Sequence, residues 1–136
     1  MNVTTNTIQN NLVKGFGIHS DSELLSFVSK RYPSIMVNKA HYRGYDLTAK
    51  GTSVVVNFAV NDYRDYKEPK DRYDILDDSY KGHVCLSFGW DNKKDYSGGG
   101  FMEPCDQDDD IFKRIELFIF TKLGLKATSY EQLSLF

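Results

Sequence analysis

Cysteine, proline and tryptophan are scarce in this chain: two, three and one in 136 residues. Cys85 and Cys105 match no metal-ligand spacing, and the simplest inference is a reduced, cytoplasmic protein. No apolar run approaches the roughly 20 residues needed to cross a bilayer, so no membrane association is expected. Residues 1–11 are polar and rich in Asn and Thr. Without a basic start or an apolar stretch they are not expected to act as a signal peptide. A basic excess is also missing: 17 Lys and Arg face 19 Asp and Glu, for a formal net charge of −2. A domain that grips a phosphate backbone unaided normally carries excess cation, because affinity comes from counterion release. Any contact with DNA is therefore expected to be indirect, and the charge is too small for a whole-molecule DNA mimic. No internal repeat is evident.

What is present reads as one globular domain: 40% hydrophobic, 26% charged, with nine Tyr and nine Phe and a length that suits a single core. The expected fold is α+β, an antiparallel sheet of about four strands with two helices packed on it. Residues 1–124 form the domain, with 1–11 frayed or a weak first strand, and residues 125–136 form a flexible C-terminal arm. Ser20 reads as a helix N-cap with Glu23 completing a capping box. Leu24, Phe27, Val28 and Tyr32 follow at helical spacing until Pro33. Residues 35–49 read as β with half-alternating apolar residues, and Lys50-Gly51 as a turn. In 52–60, Val54, Val56, Phe58 and Val60 share a face; in 83–90, Val84, Leu86, Phe88 and Trp90 do. Ser97 to Gly100 reads as a flexible hairpin loop, before a further strand segment at Phe101, Met102 and Glu103. The second helix carries a stripe of Ile111, Phe112, Ile115, Phe118, Ile119 and Leu123, with Lys122 in its last turn and Gly124 as its C-cap.

Several clusters invite a chemical reading, and each has a plainer one. Asp106, Asp108, Asp109 and Asp110 resemble a hard-cation site, yet they sit where a helix start favours negative charge, and no metal is expected. Asp77 and Asp78 read as a solvated loop. His83, Cys85 and Ser87 share a strand face, so a Cys/His nucleophile pair is conceivable, but strand geometry alone makes them neighbours; His19 and His41 join no motif. Lys93, Lys94 and Tyr96 have the composition of a nucleic-acid contact and are read instead as a solvated hairpin tip. The charged connection 61–82, with Tyr63, Tyr66, Tyr73 and Tyr80, is long enough to suggest a functional surface, and a short helix from Tyr73 to Leu76 fits its sequence. No catalytic residue and no cofactor is expected.

The tail is the most specific signal. Gln132, Leu133, Ser134, Leu135 and Phe136 resemble the peptide by which bacterial polymerases and repair proteins bind the β sliding clamp: Gln, an aliphatic residue, a small or acidic residue, Leu and a terminal aromatic. The resemblance covers these five residues only. It implies that Leu135 and Phe136 enter the clamp's hydrophobic pocket, that Leu133 packs at its rim, and that Gln132 hydrogen-bonds in a neighbouring subsite. Burying each large apolar side chain yields about 1.5–3 kcal/mol before ordering costs. The competing reading makes Leu133, Leu135 and Phe136 a last strand covering this protein's own core. The leading expectation is a non-enzymatic, replication-associated protein of a phage or mobile element that recruits its domain to the replication machinery or blocks it. The alternatives are an anti-defence protein that inhibits a host nuclease through the surface 61–82, and a nucleic-acid enzyme delivered by the clamp.

Overall fold

The computed structural model describes residues 17–41, 43–68, 75–107 and 110–128. In chain order they form α1 (Asp21–Arg31), β1 (Met36–Lys39), β2 (Tyr45–Thr48), β3 (Val54–Asp62), β4 (Val84–Asn92), β5 (Gly98–Pro104) and α2 (Ile111–Leu123). The strands pair in sequence order, each antiparallel to the next, in one sheet. The class is α+β, as expected, with five strands rather than about four. The extra strand arises because the region 35–49 folds back on itself. Gly44, at φ 78°, allows the chain to double back so that Ala40 N–H reaches the Gly44 carbonyl at 2.9 Å.

Alternation along the two central strands sorts the side chains. Val56, Phe58, Val84, Leu86 and Phe88 are all at most 1% exposed on one face, and both helices join them in a single cluster. Phe118 of α2 lies 5.8 Å from Phe58 and 5.4 Å from Phe88, ring centre to ring centre. Phe27 of α1 meets Phe112 of α2 at 4.9 Å. Polar contacts at the margins fix the helix positions: Arg31–Glu116 at 2.7 Å joins α1 to α2, and Arg114–Glu103 at 2.7 Å joins α2 to β5. The Lys122 ammonium sits 4.1 Å from the centre of the Trp90 ring, a cation–π contact.

The ends of α1 form much as the sequence implies. Ser20 Oγ accepts the Glu23 N–H at 3.3 Å. The Glu23 carboxylate reaches back one residue further than a standard capping box, accepting the His19 N–H at 3.0 Å. α2 starts differently. Asp110 occupies its N-cap without a side-chain capping bond, Asp108 and Asp109 lie outside the described residues, and Asp106 is engaged elsewhere. The expectation that Asp106 serves the helix start is therefore corrected. Gly98 to Gly100 are a second correction, being part of β5 instead of a loop, with the turn at residues 93–97. A Cβ at Gly99 would lie 3.2 Å from Trp90 Nε1, and one at Gly100 2.8 Å from the Phe88 carbonyl oxygen. Glycine is thus required by the close approach of β4, and its presence signals tight pairing rather than a hairpin tip. Of the proposed helix at Tyr73 to Leu76, Tyr73 lies outside the described residues, while Ile75 and Leu76 are not helical.

Two glycines with the same backbone sign offer a matched test. A Cβ at Gly44 would run into the Phe58 carbonyl oxygen and Ala59, whereas one at Gly51, φ 86°, meets nothing within 4 Å. Gly51→Ala should cost only the left-handed conformation, about 1–2 kcal/mol. Gly44→Ala should cost clearly more, because the β1–β2 connection must also move away from β3. Urea unfolding of both variants checks the order, and equal losses would contradict the geometry.

Candidate functional site

Three surface features concentrate chemistry. The first is built on Asp106, a carboxylate only 8% exposed. Its Oδ2 accepts the Val84 N–H at 3.2 Å, and its Oδ1 lies 3.1 Å from His83 Nδ1. A carboxylate only accepts, so Nδ1 is the protonated nitrogen of that imidazole. The pair borders a depression of about 390 Å³ that also includes Met102, Glu103, Gln107 and Arg114. Its described lining supplies no hydroxyl or thiol nucleophile. The arrangement ties the start of β4 to the segment following β5.

Cys85 does not pair with His83. It is fully buried, and its Sγ approaches the Tyr80 carbonyl oxygen at 3.9 Å. Burial first, and the Asp106 charge second, push its pKa up to about 11. The single Cys105 S–H is shared between the Ile18 carbonyl at 3.2 Å and that of Val84 at 3.4 Å, and burial foremost pushes its pKa up to about 12. Both side chains are neutral thiols near pH 7, which suits packing and not nucleophilic attack. Among the described residues no group of three or more His, Cys, Asp or Glu could hold a metal ion.

The second feature is the sheet face away from the helices. Asn57, Ser87, Gly89 and Asp91, with Arg43 and Asp46 beside them, line a shallow depression of about 430 Å³. Asn57 Nδ2 donates to Asp46 Oδ1 at 3.0 Å, and Asn61 Nδ2 to Ser87 Oγ at 3.0 Å. The polar groups there largely satisfy one another. At one end of this face the connection from β3 to β4 packs down, with Tyr80 donating its hydroxyl to the Met102 carbonyl at 3.1 Å. Part of the charged connection 61–82 is thereby a cover for Cys85 and Met102. Asp77 accepts from the Ser79 N–H and hydroxyl, and Asp78 pairs with Lys81 at 2.8 Å, in keeping with a solvated turn. At the β4–β5 turn Lys93 and Lys94 are exposed, and Tyr96 is 91% exposed.

The third feature lies where the chain leaves α2. Gly124, at φ 74°, ends the helix. Leu125 and Ala127 then pack against the core, and the Thr128 N–H donates to the Arg31 carbonyl at 2.9 Å. These residues and the outer side of α2 enclose an apolar groove of about 370 Å³ over Tyr32, Leu117 and Phe120. Leu117 is 62% and Phe120 47% exposed. Helical spacing offers the one sequence signal for this groove: both residues fall off the buried stripe of α2, yet both are large and apolar. The peptide residues Gln132, Leu133, Ser134, Leu135 and Phe136 lie outside the described residues. The pairing of His83 with Asp106 has no local signal at all, since the two are 23 positions apart.

Among the described residues no helix is long and apolar enough to cross a membrane. Comparison with protein-family models, curated proteins and solved structures finds no match to this chain.

Asp106→Ala should lower stability by about 1–3 kcal/mol, because the buried Val84 N–H loses its acceptor. Asp106→Asn should cost less, since a carboxamide oxygen still accepts there. Denaturant midpoints of the two variants, measured in reducing buffer, decide this. Equal losses would mean that the Val84 contact contributes little.

Proposed function

We propose that this chain binds the bacterial β sliding clamp through residues 132–136, acting by contact and not by catalysis. The observation that carries the proposal is the order Gln132, Leu133, Ser134, Leu135, Phe136, which resembles clamp-binding peptides at each of the five positions. Support also comes from where the peptide starts, four positions after Thr128, the residue tied to Arg31. The intervening Ser129, Tyr130 and Glu131 give a short tether between the folded body and the ligand. Leu135 and Phe136 fill the clamp's pocket, Leu133 lies at its rim, and Gln132 supplies the directional hydrogen bond.

Occupying that pocket has two consequences. It carries the α+β body to replicating DNA without requiring the body to hold DNA, consistent with a net charge of −2. It also excludes any polymerase that needs the same pocket. A protein of a phage or mobile element, working in the host cytoplasm, uses either consequence.

Binding of the full chain to immobilised bacterial clamp tests the proposal. Leu135→Ala combined with Phe136→Ala should weaken it at least about a hundredfold, as expected when two pocket-filling side chains are lost. No binding by the unaltered chain, or equal binding by the variant, would overturn the proposal.

A further inference from the structure

The groove beside α2 has three properties that together call for an occupant. Its wall is a ridge of Leu117 and Phe120, spaced i and i+3 on the exposed side of α2. Such an apolar pair gains from being covered. Below it lies Tyr32, only 2% exposed, whose buried hydroxyl has no hydrogen-bond partner among the described residues. Burial foremost, then the nearby Glu116 carboxylate, pushes the Tyr32 pKa up to about 12. The phenol therefore stays a donor at every physiological pH, and an unmet buried donor costs about 1–3 kcal/mol. The rim carries two cations, Lys113 and Lys126, and one carboxylate, Glu116, which is paired with Arg31.

The chain itself supplies a matching segment. Leu125, Lys126 and Ala127 line the groove, and Thr128 is pinned at its border through Arg31. Residues 129–136 follow directly. Fully extended, eight residues reach about 26–29 Å, whereas the Leu117–Phe120 ridge rises only about 4.5 Å along the helix. Reach is ample even with a reversal of direction. The chemistry also fits: Leu133, Leu135 and Phe136 are apolar, and Glu131, the only charged side chain after Lys126, is opposite in sign to Lys113 and Lys126, the one rim carboxylate, Glu116, being paired with Arg31. A short tether places the segment at millimolar effective concentration, which favours it over a second copy or a foreign peptide.

We infer that the groove formed by Tyr32, Leu117, Phe120 and Leu125 is a docking site for the chain's own segment 132–136, which the clamp must displace. This inference rests on the clamp-binding reading of that segment. Docking shelters the apolar side chains when no clamp is present. It also sets the apparent affinity, because only the undocked fraction binds the clamp.

The test uses the full chain, a Leu117→Ala/Phe120→Ala variant and a synthetic peptide of residues 129–136. Both substituted side chains are exposed, and circular dichroism verifies that the variant keeps its fold. A segment docked 70–90% of the time lowers apparent affinity about three- to tenfold. The variant should therefore bind purified clamp about three- to tenfold more tightly than the unaltered chain, at the level of the free peptide. Equal affinity of all three would overturn the inference. If none of the three binds clamp, the proposed function falls, and the groove is then judged on its own. Amide signals of Leu117, Phe120 and Leu125 should shift when residues 129–136 are removed, and unmoved signals would refute the docking site.

Discussion

Phe118 of α2 touches Phe58 of β3 and Phe88 of β4 at once, and Phe58 meets Phe88 edge-on at 5.5 Å. Aromatic pairs of this geometry contribute about 0.5–1.5 kcal/mol beyond their burial. More important is what the trio constrains. Val55 aside, the large apolar side chains of the central strands fall on one face, and both helices share it. Val56, Leu86, Ile115 and Ile119 complete that layer, each with no exposure. With the helices committed to one side, the other face is left to Asn57, Asn61, Ser87 and Gly89. The chain's route out of α2 is set as well, because the end of the helix lies beside the end of α1.

Buried polar chemistry in this body holds strands together. Asp106 accepts from Val84 and pairs with His83, and the Cys105 S–H is shared between Ile18 and Val84, so the segments flanking β4 and β5 are stitched by side chains. Two thiols with raised pKa values and a carboxylate with both oxygens engaged describe a scaffold. The proposed clamp-binding segment follows this scaffold, beyond Thr128. On the inference drawn above, the groove beside that segment and the clamp compete for the same residues, and the balance between them would tune affinity without altering either contact.

How far the sequence foretells this structure depends on the range of each interaction. Helical spacing in Leu24, Val28, Ile111, Ile115, Ile119 and Leu123 is local, and so is the parity of Val56, Phe58, Leu86 and Phe88; these are legible because neighbours in sequence reveal them. Ser20 and Gly124 are legible for the same reason. The region 35–49 reads as one β segment because the reversal rests on Gly44 packing against Phe58 and Ala59, which are distant in sequence. Gly98, Gly99 and Gly100 look like a loop until Trp90 and Phe88 are brought against them. Asp106 looks like part of a helix-start cluster, and only the arrival of Val84 and His83 gives its carboxylate other partners. Of the candidate site, the proposed peptide 132–136 is a linear motif that lies outside the described residues, whereas the groove of Tyr32, Leu117 and Phe120 exists only once α1 and α2 lie side by side.

The central claim is that the body closes on itself by Thr128, so that residues 132–136 serve as a ligand and not as a missing piece of the interior. Equilibrium urea unfolding of the full chain beside a chain ending at Thr128 measures this most directly. Reversible docking of a segment about 90% of the time contributes only about 1.4 kcal/mol. The account therefore predicts a stability difference no larger than that, with a nearly unchanged dependence on urea, since little surface is buried by the segment. A shortened chain that fails to fold cooperatively, or that loses several kcal/mol with a clearly reduced urea dependence, would contradict it.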